Sequence, residues 1–291
     1  MKTAPFEYCA PRSLDEAIAL LGEHGDEAKV LAGGQSLVPL LAMRLARPTV
    51  VIDINELDGL AAIAPTDGGG LTLGAMTRER AAERSPDVAT RVPVLAEALP
   101  LVGHVAIRNR GTVGGSIVHA DASGELPAVA LVTDAEMVAR STRGDRVIAA
   151  DGFFYGHFTT AMADDELLTE VRIPAGAPGA GWAFDEVARR RGDFALVGAA
   201  AMVAMTDGVI GEARIALIGV AGQPVRAPDT EAALVGQPAD ASTFEAAAQE
   251  AVAGLEPASD VHGSGEFRRH LAGVVTRRAL TAAARRTGGV E

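Results

Sequence analysis

Lys29-Val30-Leu31-Ala32-Gly33-Gly34-Gln35-Ser36-Leu37 passes from an apolar, strand-like run through two glycines into a helical run over 37–45. A further apolar run follows over 49–54. Strand, glycine turn, helix and strand in this order predict a βαβ-type unit. A second glycine segment, Gly111-Thr112-Val113-Gly114-Gly115-Ser116, lies far along the chain. Glycine lets backbone come close to a bulky anion, and free N–H groups supply donors to it. Ser36, Thr112 and Ser116 add hydroxyls. Neither segment is Gly-x-Gly-x-x-Gly opening a helix, and neither ends in Gly-Lys-Ser/Thr, so the dinucleotide fingerprint and the P-loop are both missing. Either Gly-Gly pair alone is most simply a tight turn; the two together suggest one diphosphate held from two sides.

Working outward, Phe6-Glu7-Tyr8 reads as a strand. Ser13 with Glu16 forms a capping-box pattern for a helix that Gly22 or Gly25 closes. Apolar runs over 60–63 and 71–73 flank a glycine-rich hairpin turn at 67–70. Helical stretches follow at 77–80, 94–102 and 126–132. Residues 136–139, 147–148 and 167–173 read as strands, and 152–155 as a packed aromatic loop. The Pro-, Gly- and Ala-rich stretch 174–181 has the composition of a connection. Beyond it come strands over 182–187, 194–205 and 215–220, with Asp207-Gly208 in a turn. Helices over 241–255 and 265–286 follow, the last with Phe267, Leu271, Val274 and Val275 on its expected buried face. Strands first and helices after them predict an antiparallel sheet covered on one side.

The 291 residues carry a net charge of −12. That argues against nucleic acid as a main partner, since phosphate backbones are met with basic surfaces. With 4% aromatics and 48% hydrophobic residues, the core must be aliphatic and alanine-rich. The single cysteine, Cys9, excludes an internal disulfide and an iron–sulfur cluster on this chain. The first ten residues lack an apolar h-region, and no apolar run is long enough to span a bilayer, so a cytoplasmic location and no membrane span are expected. No metal-ligand spacing and no Gly-x-Ser-x-Gly nucleophile elbow occur, so neither a metal ligand nor a catalytic residue is assigned.

An ordered set of motifs adds to this reading. Ala32 to Leu37, Ile107-Arg108-Asn109-Arg110 leading into the second glycine segment, and His119-Ala120-Asp121-Ala122-Ser123-Gly124-Glu125-Leu126-Pro127-Ala128 are joined by Phe184-Asp185-Glu186-Val187-Ala188-Arg189-Arg190-Arg191-Gly192-Asp193-Phe194-Ala195. Asp260-Val261-His262-Gly263-Ser264 and Arg268-Arg269 complete it. Over essentially its whole length the chain resembles the FAD-binding medium subunit of molybdenum-containing hydroxylases, of the carbon monoxide dehydrogenase medium-chain and xanthine dehydrogenase FAD-subunit type.

The resemblance implies an α+β fold. It has a two-subdomain FAD-binding domain of the vanillyl-alcohol-oxidase/MurB (PCMH) type over 1–175, divided at about 55/56. An antiparallel sheet-plus-helices C-terminal domain spans 181–287. It also implies non-covalent FAD, with Leu31, Ala32, Gly33, Gly34, Gln35, Ser36, Leu37, Thr112, Val113, Gly114, Gly115 and Ser116 around the diphosphate. Glu125 falls where the family has an acidic residue near FAD, and Val102 and Leu168 where it has apolar contacts. Phe194 stands where tyrosine is frequent beside the isoalloxazine ring, keeping the ring face without the hydroxyl. His119 could donate to a phosphate, but a satisfied structural histidine is the simpler reading. Asp121 is expected to fix its own turn, Arg189, Arg190 and Arg191 fit a solvated basic run as well as a contact with the negative FAD or with a partner subunit, and Cys9 is given no role.

The function implied is an electron-transfer flavoprotein subunit. Its partners would be a large subunit holding the molybdenum cofactor and a small one holding [2Fe–2S] clusters, in a dimer of heterotrimers that serves an external acceptor. Two alternatives stand beside it: a scaffold subunit that has lost FAD, and a free-standing MurB-like FAD reductase.

Overall fold

The computed structural model describes residues 2–288; Met1, where the first expected subdomain begins, lies outside them. The N-terminal layer contains β1 (Glu7–Cys9), α1 (Leu14–His24), β2 (Ala28–Leu31), α2 (Leu37–Ala42) and β3 (Val50–Asp53). Its three strands are parallel in the order β1-β3-β2, so β2, α2 and β3 form the expected βαβ unit. The Ser13 hydroxyl caps α1 by accepting the Glu16 N–H at 3.2 Å, while the Glu16 carboxylate reaches back to the Arg12 N–H at 2.8 Å. Of the two candidate stops, Gly25 ends this helix, at φ 51°. Helix α2 is shorter than its apolar pattern, because the chain turns left-handed at Arg44, φ 57°.

A five-stranded antiparallel sheet in the order β4-β5-β10-β6-β7 forms the second layer. It is built from β4 (Ile63–Pro65), β5 (Leu71–Gly74), β6 (Glu136–Ser141), β7 (Gly144–Ala149) and β10 (Leu167–Ile173). Between β5 and β6 lie α3 (Glu79–Glu83), α4 (Pro86–Arg91), α5 (Pro93–Ala98), α6 (Val105–Arg108), α7 (Val113–His119) and α8 (Glu125–Val132). A small hairpin, β8 (Phe154–Gly156) and β9 (Thr159–Thr160), precedes β10. The aromatic loop expected around 152–155 is therefore only partly packed. Phe153 and Phe154 are buried, whereas Tyr155, the next residue along a strand whose side chains alternate, is 65% exposed.

The chain then forms the antiparallel sheet β11 (Gly181–Ala188), β12 (Ala195–Thr206), β13 (Val209–Ile218) and β14 (Val225–Arg226), in that order. Asp207 and Gly208, both at positive φ, make the β12–β13 turn as the sequence predicts. Helices α9 (Pro228–Leu234), α10 (Ala241–Ala253) and α11 (Gly265–Ala284) follow. Short α9, opened by Pro228, is absent from the periodicity reading. Helix α11 packs on β11 and β12. Its buried face is Arg268, Ala272, Val275, Ala279, Leu280 and Ala283, whereas Phe267 is 46% exposed. Alanines on α11 meet Ala199 and Ala201 of β12 in one cluster, and small side chains let helix and sheet approach closely. Of the apolar face predicted for this helix, Val275 is buried in that cluster and Leu271 packs against it, whereas Phe267 turns to solvent.

The other face of this sheet joins the core of the first part of the chain. Trp182, Phe184, Ala200, Met202 and Ile218 share one buried cluster with Leu126 and Val129 of α8, all of whose residues are buried. Polar clasps close the seam: Arg286 donates to Trp182 O at 2.6 Å and pairs with Glu97, which accepts the Phe184 N–H at 3.0 Å. Arg226 donates to Leu131 O at 2.9 Å.

A Cβ on Gly181 would collide with the carbonyl of Ala283, whereas one on Gly254 would meet nothing. Gly181→Ala is expected to destabilise the chain by about 1–3 kcal/mol, and Gly254→Ala to stay within roughly 0.5 kcal/mol, measured by thermal or urea unfolding.

A cleft built from two glycine segments

The two glycine segments meet. A Cβ on Gly33 would run into the Arg110 carbonyl and come within 2.9 Å of Gly111 Cα, so the backbones touch with no room for a side chain. Asn55 donates to Ala32 O at 2.7 Å, Arg78 donates to Asn55 Oδ1 at 2.7 Å, and Arg78 also donates to Arg110 O at 2.5 Å. This chain of bonds clamps one segment to the other. Neither Asn55 nor Arg78 stands out in the sequence, because each acts on backbone brought near by folding.

Beside this contact opens a cleft of about 690 Å³. Of the residues expected around the cofactor, 32–37, Val102, Thr112, 114–116, Glu125, Leu168 and Phe194 line it. Leu31 and Val113 do not. Leu31 packs beneath Gly34, and Val113 is buried in the core of the second layer. Leu31 ends β2, where side chains alternate, so it faces away from the side that Val30 and Ala32 present, and Val113 opens α7 on the side that packs into the core.

The two segments differ in what they offer. Among the described residues, the backbone N–H groups of Gly33, Gly34, Gln35 and Ser36 have no acceptor within the chain. Gly34 holds φ 73°, which a glycine adopts without strain. The second segment is the start of α7 rather than a free loop, and its donors are largely used. Val113 N–H goes to Thr77 O, Gly114 N–H to Ala75 O, Gly115 N–H to Thr112 Oγ1 and Ser116 N–H to Thr112 O, all at 2.9–3.1 Å. Only the Thr112 N–H is left over among the described residues. A Cβ on Gly114 would lie 2.6 Å from Ala75 Cβ. The first segment therefore supplies donors, and the second supplies a rigid wall without side chains. Unused donors, a close-packed glycine wall and the cleft volume fit a diphosphate with aromatic groups at its ends.

The cleft is edged by carboxyls. Glu125 is 5% exposed, and burial pushes it up to about 8, with Glu186, Glu79 and Asp121 adding to the rise. Burial raises Glu79 to about 7 against the pull of the Ser116 hydroxyl and Arg108. Glu186, outside the cleft lining, rises to about 7 through burial and neighbouring Asp185. Glu79 is a cleft residue that the sequence reading passes over, since nothing local marks it.

His119 lines the cleft and stacks on Phe158, ring centroids 4.7 Å apart; burial lowers its pKa. It is thus half-buried at the cleft rather than within the core. Asp121 fixes its turn by accepting the Ser123 N–H at 2.9 Å, as expected. Phe194 is 62% exposed on the cleft wall, after the exposed Arg189, Arg190 and Arg191. Among the described residues no group of three His, Cys, Asp or Glu converges as metal ligands, and no helix is long and apolar enough to cross a membrane.

Residues 4–176 match the family model described as the FAD binding domain in molybdopterin dehydrogenase, and residues 182–283 the CO dehydrogenase flavoprotein C-terminal domain. The chain is 40% identical over 278 residues to the carbon monoxide dehydrogenase medium chain of Hydrogenophaga pseudoflava, covering 96% of each. It is also 40% identical over 287 residues to the 6-hydroxypseudooxynicotine dehydrogenase complex subunit alpha of Paenarthrobacter nicotinovorans, covering 98% of this chain and 97% of the relative. A solved chain of the Hydrogenophaga pseudoflava carbon monoxide dehydrogenase lacking the Mo-pyranopterin moiety superposes with a TM-score of 0.96 at 41% identity, covering 99% of this chain and 100% of that one.

A carboxyl whose folded pKa is raised binds more protons folded than unfolded, so its contribution is present at low pH and lost as pH rises. With Glu125 raised to about 8, the flavin-free chain should lose stability between about pH 5 and pH 8.5. Glu125→Gln should flatten that decline and gain on the order of 1–3 kcal/mol over the wild type at the alkaline end, read by thermal unfolding across pH.

Proposed function

The chain belongs to the FAD-binding medium-subunit family of molybdenum-containing dehydrogenases, and from that membership we propose that it is the electron-transfer flavoprotein subunit of a multi-subunit oxidoreductase. In this reading a large partner holds the molybdenum cofactor and a small partner the [2Fe–2S] clusters, assembled as a dimer of heterotrimers in the cytoplasm. Electrons leave the complex through this chain to an external acceptor. FAD supplies the junction, because a flavin takes electrons singly and releases one or two. The chain's own residues hold, orient and shield it.

The observation that carries this reading is the meeting of the two glycine segments across one cleft, with the donors of 33–36 unused. Residues 32–37 would donate to the diphosphate, and Gly114 and Gly115 would let it lie close to α7. Leu31 and Val113 would shape these segments from behind rather than touch the cofactor. Val102, Leu168 and Phe194 would supply apolar surface, and Glu125 a polar contact. The division at 1–175 and 181–287 belongs to the same reading: the first part grips FAD, and the second closes the cleft with the 192–194 turn.

The intact, unsatisfied donors favour this over a scaffold that has lost FAD. Likeness along the whole chain, C-terminal part included, favours a subunit over a free-standing reductase. Relatives of equal identity are named for carbon monoxide and for 6-hydroxypseudooxynicotine, so in this reading the substrate is chosen by the large partner.

Purified protein should show flavin absorbance, and denaturation should release intact FAD. A colourless chain that FAD cannot reconstitute would overturn the assignment. Replacing Gly34 or Gly114 by valine should weaken FAD retention by at least about a hundredfold, roughly 3 kcal/mol, while the C-terminal sheet stays folded. Partners carrying iron and molybdenum should co-purify.

A further inference from the structure

Glu79 stands behind the second glycine segment in an arrangement that holding FAD does not by itself require. It is 1% exposed. Its N–H donates to Gly111 O at 3.0 Å, and its Oε1 accepts the Ser116 hydroxyl at 2.6 Å. Its Oε2 is buried without a partner, pressed so close to Gly111 that a side chain there could not fit. A buried carboxylate oxygen left unpartnered is a costly place for negative charge.

The nearby cation does little to relieve it. Arg108, on α6, is committed to Glu83 at 2.9 and 3.3 Å and to the carbonyls of Val102 and Gly103. Arg78 is committed to Asn55 and Arg110 O. On α8, Glu125 is itself raised in part by Glu79, so the two carboxyls repel when both are charged. Ser116 and Glu79 both line the cleft. The Ser116 hydroxyl has one proton, and while Glu79 accepts it nothing in the cleft can.

We propose that Glu79 is a positioning residue that couples binding of the FAD diphosphate to uptake of one proton. The inference rests on reading the cleft as the FAD site. A solvent proton joins the Glu79 carboxylate, the carboxylic acid donates to Ser116 Oγ, and the Ser116 hydroxyl turns its proton to a phosphate oxygen. No other bond forms or breaks. The proton removes the charge that would face the anion and frees the donor that the anion needs. The environment supports this sequence: burial already raises Glu79 to about 7 without an anion present, and an adjacent diphosphate raises it further. FAD itself keeps a constant charge around neutrality.

The test uses the full chain freed of flavin, titrated with FAD by fluorescence and by calorimetry in buffers of different ionisation enthalpy. Above about pH 7 the Kd should rise by up to about tenfold per pH unit, with close to one proton taken up per FAD. Glu79→Gln, whose amide donates permanently to Ser116, should bind with a clearly shallower pH profile, Glu125 alone still titrating, and take up fewer protons. Ser116→Ala should bind several-fold more weakly at acid pH and show a shallower profile. If Glu79→Gln binds FAD with the pH slope and proton count of the wild type, the inference falls and the FAD site stands. If Glu79→Gln does not fold, an unchanged slope in Ser116→Ala overturns it. Failure of the wild-type chain to bind FAD at any pH overturns both.

Discussion

The backbone contact between Gly33 and the Arg110–Gly111 peptide is the constraint on which the cleft depends. Two segments far apart in sequence are brought so close that no side chain fits between them. Such an approach leaves little side-chain packing to stabilise it, so it is held by polar clamps. Asn55 and Arg78 bond to the carbonyls of the two segments and to each other, fixing their spacing. Those carbonyls are thereby turned into the protein, which leaves the N–H groups of 33–36 facing the cleft.

An anionic ligand in a chain of net charge −12 needs local donors to offset the surrounding field. Backbone N–H groups do this without adding a mobile cation. Two carboxyls that line the cleft, Glu79 and Glu125, are buried deeply enough to be raised toward neutrality, so burial mutes their repulsion. The same burial makes them sensitive to pH and to any charge placed beside them. Structural economy and cofactor chemistry are thus linked through desolvation.

The C-terminal sheet serves the cleft from a distance. Alanines of β12 and α11 allow a tight helix-on-sheet packing, and the opposite face of the sheet shares its core with α8. Since α8 begins at Glu125 and β12 follows Phe194, one apolar seam sets where both residues stand. Phe194 is exposed because it lies just before the strand, where the turn leaves the sheet.

By itself the sequence determined the βαβ unit around the first glycine pair and the antiparallel C-terminal sheet, because periodicity and turn residues are local signals that local chemistry reads directly. The α+β class and most of the cleft lining were legible only through the family resemblance that the order of the motifs carries. Tertiary structure decided which donors are free. Acceptors on Thr77, Ala75 and Thr112 take the N–H groups of 113–116, whereas those of 33–36 stay unpaired, and no local pattern separates the two glycine pairs. It also decided that Leu31 and Val113 turn away, that α11 buries alanines in place of Phe267, and that Asn55, Arg78 and Glu79 belong to the site. Each of these depends on a backbone carbonyl, a hydroxyl or a packing surface supplied by a distant part of the chain, and such a partner exists only once the chain has folded.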